Sequence, residues 1–357
     1  MAEVKTWDVI IIGGGIIGLS LAIALRKRGA SVLVVERGEP GREASYAAGG
    51  MLVETSPEIP APLQPSAIAS ARLYPGFAHE LEIESGKTVD LRDAGAIVIP
   101  SPEHVFELPG FTTGSLLPRP LAELEPALSD TESTAFYLKE RSVDPRALTV
   151  AAAKTARSRG VDFSSGDAVT AVDLSKGCAV GVTTTKTSFS GSKIVNAAGC
   201  WSGQISPLPL PTRPVKGQML CLLMHPQNLL RHVIRTSDVY LIPRSDGRLL
   251  VGATVEEAGF DKRTDLATIQ RLHRAALDLV PALEDARILE GWAGLRPGTP
   301  DNLPILGPTD VPGYYVATGH FRDGILLAPI TAQLMADVIE GRTPAHDLRP
   351  FSLSRFV

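Results

Sequence analysis

Apolar residues run unbroken from Val9 to Ile12, pause at a cluster of glycines, and resume at helical spacing to Leu25. A second apolar run, Val32–Val35, ends on Glu36 and Arg37. Short continuous runs bounded by glycine predict strands buried on both faces. The stretch reads as strand, glycine turn, helix, strand, acid. Downstream, residues 64–84 carry apolar positions at helical spacing, kinked or broken at Pro75. Strands are expected over 91–99 with a turn at Gly95, and over 161–185 with a turn at Lys176-Gly177. Asp144 and Pro145 predict a helix start by N-cap and first-position proline, with the helix running to about Arg159. Residues 192–202 read as a strand running into small residues, and 215–224 as a long strand. Residues 240–243 and 249–254 pair across Asp246-Gly247. An amphipathic helix spans 265–280, a strand 314–318 and a last helix 324–340, with Pro329 expected to distort its opening turns.

The glycines of the first turn have separate tasks. Gly13 leaves the strand where a side chain would block the turn. Gly15 lets the backbone approach a pyrophosphate, and Gly18 lets the helix lie close on the sheet. The first helical amides, with Ile16 and Ile17, lack internal partners and suit an anion. Glu36 stands at the position from which a carboxylate accepts hydrogen bonds from a ribose and repels a 2′-phosphate, which argues against NADP. The uncharged run from Val9 to Leu25 followed by Arg26, Lys27 and Arg28 also resembles a short membrane span. Its glycines and its length argue against that for a bilayer of roughly 30 Å, and no small-residue cleavage site follows.

The chain begins with a βαβ unit, passes through β-rich material and ends on a second strand–glycine–helix. That late element suits a long cofactor such as FAD, with adenosine at the first element and flavin near the last. The expected fold is α/β: a discontinuous FAD-binding Rossmann-like domain (1–85, 142–214 and 286–357) and a β-rich substrate domain with an antiparallel sheet (86–141 and 215–285). At 357 residues the chain has room for both. A net charge of −4 gives no sign of a nucleic-acid surface. Three scattered cysteines (Cys178, Cys200, Cys221) form neither a disulfide framework nor a zinc spacing. Each is expected as a small buried hydrophobe in a reducing cytoplasm. Proline-rich stretches at 57–65, 100–120 and 207–214 mark loops.

Three segments carry candidate chemistry. Residues 41–52 are rich in small residues and serve equally as a flexible loop or as backbone that approaches phosphates and a flat ring. Arg296 stands in an otherwise uncharged stretch. It offers a planar fork for a carboxylate, or sits in a buried ion pair. In 319–329, Asp323 is an expected N-cap, and the amides of Gly324, Ile325 and Leu326 form a positive helix end suited to the negative charge of a reduced flavin. Arg322 faces the substrate or the pocket mouth. His320 is read as packed or hydrogen-bonded beside the ring in preference to a general base.

With these segments in order along residues 9 to about 340, the sequence resembles the D-amino-acid oxidase superfamily of flavoproteins, in particular glycine oxidases of the thiamine-biosynthesis type. VIIIGGGIIG, GREASYAAGGM, PVKGQML, YLIPRSDGRLLVGAT, WAGLRPGT and GHFRDGILLAP carry the likeness. The resemblance implies non-covalent FAD. Its contacts would come from Gly13, Gly15, Ile16, Ile17, Gly18, Glu36 and Arg37, then Ser45, Ala47, Ala48, Gly50 and Met51. Val169, Ala198, Gly199 and Trp201 would follow, then His320, Arg322, Asp323, Gly324, Ile325 and Leu326. It also implies Arg296 as carboxylate anchor, Tyr240 as second donor, and Arg322 at the site entrance. The expected reaction is oxidation of glycine, sarcosine or D-alanine to an imine with release of hydrogen peroxide, feeding thiazole synthase. A homotetramer without membrane or nucleic-acid contacts is expected. Asp238, Val255 and Asp323 depart from the family pattern and leave the substrate range open. The alternatives are a D-amino-acid dehydrogenase with a quinone acceptor and a cofactor-binding protein without catalysis.

Overall fold

The computed structural model describes residues 5–54, 59–100, 117, 119–130 and 134–356. The chain opens with β1 (Thr6–Ile12), α1 (Ile16–Lys27), β2 (Val32–Glu36), α2 (Ala44–Ala47), β3 (Met51–Leu52) and α3 (Gln64–Ser85). It continues through β4 (Ala96–Val98), α4 (Leu121–Leu124), β5 (Phe136–Leu138), β6 (Arg141–Ser142), α5 (Pro145–Ser158), β7 (Asp162–Ser165), β8 (Val169–Ser175), β9 (Cys178–Thr184) and β10 (Ser188–Asn196). Next come β11 (Arg213–Leu223), β12 (Val233–Arg235), β13 (Tyr240–Pro243), β14 (Arg248–Gly252) and α6 (Leu266–Leu279). The last elements are β15 (Arg287–Gly298), β16 (Ile305–Pro308), β17 (Tyr314–Thr318) and α7 (Gly324–Ile339). Of the proline-rich stretches, most of 100–120 and residues 57–58 lie outside the described residues.

Two sheets organise these elements. The first runs β16-β17-β10-β1-β2-β7, with β8 and β9 folded off β10, and β1 is parallel to both of its neighbours. Its centre is apolar on both faces. Val9 and Ile11 pack with α1, α3, α5 and α7, while Ile10 and Ile12 pack with Val172 and Val182. That two-sided burial is why β1 lacks the alternation of a half-exposed strand. The second sheet runs β15-β11-β14-β13-β12-β4-β5 and is antiparallel except between β12 and β4. Here period-two alternation separates two faces. Leu220, Leu222, Leu241, Leu249 and Val251 join the core that includes Leu272 and Ala276 of α6. Met219, Cys221, Ile242 and Leu250 point the other way.

Local signals explain the element ends. Asp144 accepts from the amides of Arg146 at 2.8 Å and Ala147 at 3.2 Å, and Asp265 caps α6 through Thr268 at 2.9 Å. The turn between β8 and β9 uses positive φ at Lys176 and Gly177. This leaves Cys178 exposed at the hairpin, in contrast to the buried position expected, while Cys200 and Cys221 are buried.

Both internal prolines remain within continuous helix. A proline cannot donate to the carbonyl four residues back. For Pro75 that carbonyl is Ala71, which accepts from Arg141 at 3.4 Å. For Pro329 it is Ile325, which accepts from Tyr74 Oη at 2.8 Å. Pro75 therefore does not break α3, and the opening of α7 is stitched by a neighbour.

Candidate functional site

A cavity of about 1280 Å³ runs from the β1–α1 turn to the inner face of the second sheet. Pockets for single small ligands are commonly about 300–1,000 Å³, so this one has room for a long cofactor together with a small substrate.

At its first end, Gly13 has φ +107° and a Cβ there would lie 2.5 Å from Ala197 O. A Cβ at Gly18 would lie 2.0 Å from Gly13 O, so only glycine lets α1 approach β1 this closely. Gly13, Gly15, Ile16 and Ile17 line the cavity. Gly18 is buried behind them, acting through packing. Glu36 is buried and accepts from the amides of Gly14 at 2.7 Å and Gly38 at 2.8 Å. Each carboxylate oxygen keeps a further lone pair for a ribose hydroxyl. Burial pushes the Glu36 carboxyl up, and the two amides pull it down. Ser45 Oγ accepts from the Ile16 amide at 2.9 Å and so caps the helix end expected to meet a pyrophosphate.

Arg37 stacks over Trp201 at 4.2 Å, and Phe260 packs on Trp201 at 5.6 Å. Val169, Ala198, Gly199 and Cys200 line the same end. Burial pushes the Cys200 thiol up to about 12. Phe260 carried no sequence signal.

The segment around α2 lies between the ends, and Ser45, Ala47, Ala48, Gly50 and Met51 all line the cavity. It is held from behind. Arg146 lies 4.1 Å from the Tyr46 ring and 4.5 Å from Trp292, whose Nε1 donates to Ala47 O at 3.1 Å. Arg244, only 1% exposed, donates to Gly49 O. Burial pulls its guanidinium down to about 10. This backing rules out a free loop for 44–52. Its two arginines were not singled out in the sequence, because both contacts are long-range.

At the far end, Arg296 of β15 and Tyr240 of β13 reach each other across the inner face of the second sheet. Two glycines make the space. A Cβ at Gly217 would lie 2.3 Å from Arg296 Nη1, and one at Gly252 would lie 2.7 Å from the Tyr240 ring. Arg296 Nη1 donates to Thr254 O at 3.0 Å and Lys216 O at 3.3 Å. Among the described residues its hydrogen bonds are to carbonyls and Tyr240. Burial pulls the guanidinium down, Tyr240 raises it, and Arg322 lowers it further. Burial pushes the Tyr240 phenol up, with Arg296 and Arg322 opposing. Three polar groups, two of them cationic, thus converge. The exposed Asp238 and Val255 line the rim.

His320 is buried, and its Nε2 lies 3.1 Å from Thr331 Oγ1. Burial pulls it down to about 3, so it is neutral and packed. Arg322, Asp323, Gly324 and Ile325 line the cavity. Leu326 is in the core, so only its backbone belongs to the helix end. Asp323 occupies the N-cap position, but its side chain accepts none of the first-turn amides, contrary to the expected cap. Among the described residues no group of side chains suits a metal ion.

Residues 8–338 match the family described as FAD dependent oxidoreductase. The chain belongs to that family. This oxidoreductase is 33% identical over 364 residues to a glycine oxidase of Pseudomonas aeruginosa, across 96% of this chain and 98% of that one. It is 36% identical over 366 residues to the bifunctional protein ThiO/ThiG of Trichormus variabilis, covering 98% of this chain and 55% of that protein. It therefore spans about half the length of such bifunctional relatives. The crystal structure of glycine oxidase from Geobacillus kaustophilus superposes with a TM-score of 0.93, at 34% identity and 99% coverage of both chains. The α/β fold, the FAD cofactor and membership of an FAD-dependent oxidoreductase family follow as expected. The cradle fits FAD on its own terms, with glycines where backbone approach is needed, a free lone pair on each Glu36 oxygen, and a helix N-terminus at each end.

Proposed function

We propose that this oxidoreductase oxidises glycine or another small amino acid, such as sarcosine or D-alanine, with oxygen as acceptor. The convergence of Arg296, Tyr240 and Arg322 at one end of a long cavity carries the reading. When bound, FAD supplies two-electron acceptance from the substrate carbon–nitrogen bond and delivery of those electrons to oxygen as hydrogen peroxide. Arg296 binds the substrate carboxylate through its planar fork, Tyr240 donates a further hydrogen bond, and Arg322 guards the entrance. Their low-dielectric setting strengthens the grip and orients the α-hydrogen. His320 stays neutral and takes no proton, so the amine arrives deprotonated from solution. The imine product hydrolyses to an α-keto acid and ammonia or passes to thiazole synthase, a role supported by the likeness to ThiO/ThiG. FAD is held without a covalent link by residues 1–85, 142–214 and 286–357. Residues 86–141 and 215–285 form the substrate domain and supply Tyr240, while Arg296 and Arg322 come from 286–357. The working assembly is a homotetramer in the cytoplasm.

The test is a panel of small amino acids added anaerobically to the purified yellow protein, followed by oxygen. Flavin bleaching and then peroxide with glycine are expected. Arg296→Ala should weaken substrate capture by roughly 2–5 kcal/mol, because the carboxylate is desolvated there. No bleaching with any member sinks the proposal. Bleaching with negligible oxygen turnover, restored by an artificial acceptor, replaces the oxidase with a quinone-linked dehydrogenase.

A further inference from the structure

The start of α7 is bonded by two hydroxyl groups from another helix. Its hydrogen-bond ladder begins with Leu327 N donating to Asp323 O at 2.8 Å, so the amides of residues 324–326 precede it and carry the helix's partial positive charge. Gly324 and Ile325 face the cavity. Pro329 then removes the donor for Ile325 O. Tyr74 Oη fills that place at 2.8 Å. One position on, Ser70 Oγ donates to Leu326 O at 2.6 Å and accepts from Ile330 N at 3.4 Å. Both side chains are fully buried on α3. Burial drives the Tyr74 phenol far above its ordinary range, so it remains a donor.

The first turn of α7 is therefore joined to the rest of the helix partly through α3. Packing alone does not ask for a hydroxyl at either position, whereas an orphaned buried carbonyl does. We propose that Tyr74 and Ser70 are positioning residues: they set the aim of the cavity-facing end of α7 and thereby the reduction potential of the bound flavin. This rests on the flavin lying at that helix end, as in the proposed function. A positive helix end favours the form that carries more negative charge. If the first turn swings away, the reduced flavin loses that support.

The experiment is a redox titration of the holoenzyme with a reference dye and a chemical reductant, without amino acid, alongside thermal melting. Tyr74→Phe should shift the balance about tenfold towards oxidised flavin, which is about 30 mV more negative for a two-electron couple. Ser70→Ala should shift it in the same direction by less. Pro329→Ala restores a backbone amide four residues after Ile325, so Tyr74→Phe/Pro329→Ala should regain the parent potential. An unchanged potential in Tyr74→Phe with a lower melting temperature overturns the proposal, leaving the hydroxyl a purely structural role. So does a shift that Pro329→Ala fails to reverse. If Tyr74→Phe does not hold FAD, Ser70→Ala and the double variant decide by the same readings. Because no amino acid enters the titration, a wrong substrate would leave its result intact and show only in the substrate panel.

Discussion

Gly217→Ala tests the substrate end without replacing any charged group. The added methyl would stand 2.3 Å from Nη1, 2.5 Å from Nη2 and 2.6 Å from Cζ of Arg296. Carbon contacts are optimal at about 3.5–4.0 Å, so the guanidinium must retreat by about 1 Å. The obstacle is the far end of a flexible side chain, so the strand keeps its place and the arginine moves. The bonds to Lys216 O and Thr254 O then stretch or break. A misplacement of about 1 Å costs about 100-fold in rate, equivalent to about 2.7 kcal/mol. The expected result is a fall of about that size in kcat/KM for glycine, read by peroxide release, with FAD content and absorbance unchanged. Gly76→Ala is the matched control, since nothing lies within 4 Å of its added methyl. A Gly217→Ala enzyme within twofold of its parent would refute the placing of Arg296 on the substrate.

Three further outcomes follow from the geometry. Glu36→Ala removes the acceptor for two backbone amides and should weaken FAD binding at least tenfold in a fluorescence titration, since hydrogen bonds to a charged group are worth about 1.5–3 kcal/mol each. Glu140 is buried against Arg235, and burial pushes its carboxyl from 4.5 up to about 7. The folded state therefore holds its proton more tightly than the unfolded chain. That contribution is fully present below about pH 4.5 and lost as pH rises through about 7. Urea melts should show Glu140→Gln gaining on the parent by on the order of 3 kcal/mol between pH 4.5 and 8; a constant difference across that range would contradict the assignment. His320→Asn should leave the pH profile of kcat between 6 and 9 unshifted, because a histidine pulled down to about 3 does not titrate there; disappearance of an inflexion near 6.5 would restore it as a base.

The parts of the fold that depend on neighbours in sequence were legible. Strand β1, its glycines and Glu36 lie within one βαβ unit, and the Asp144–Pro145 and Asp246–Gly247 signals act over a few residues. Arg296 and Tyr240 were legible as chemistry, because a cation in an apolar stretch and a matching family motif both stand in the sequence. Their meeting was implied by the family likeness alone and not by their spacing, since it depends on β15 and β13 lying on opposite sides of β11 and β14 in one sheet. Gly217 and Gly252 carry no local signal, because only the strand register brings arginine and tyrosine against them. Arg244 carried no signal in the sequence, because its burial against Gly49 arises from a contact spanning 195 positions. The absent cap at Asp323 has a local cause: its backbone, at φ −102° and ψ 7°, departs from the extended conformation in which an N-cap side chain reaches the first-turn amides.

The shared bonding of α3 and α7 also bears on how the protein comes apart. A helix normally frays by breaking its own ladder, one end at a time. Here rungs of α7 are supplied by Tyr74 and Ser70, and the rung that Pro75 vacates in α3 is supplied by Arg141. The start of α7 cannot open without losing its bonds to Ser70 and Tyr74, beside Pro75 in α3. In native-state hydrogen exchange, amides next to Pro75 and Pro329 should therefore open in one cooperative step, in place of the graded opening of independent helices. Loss of the cofactor's helix end and loss of the helical layer would then be a single event.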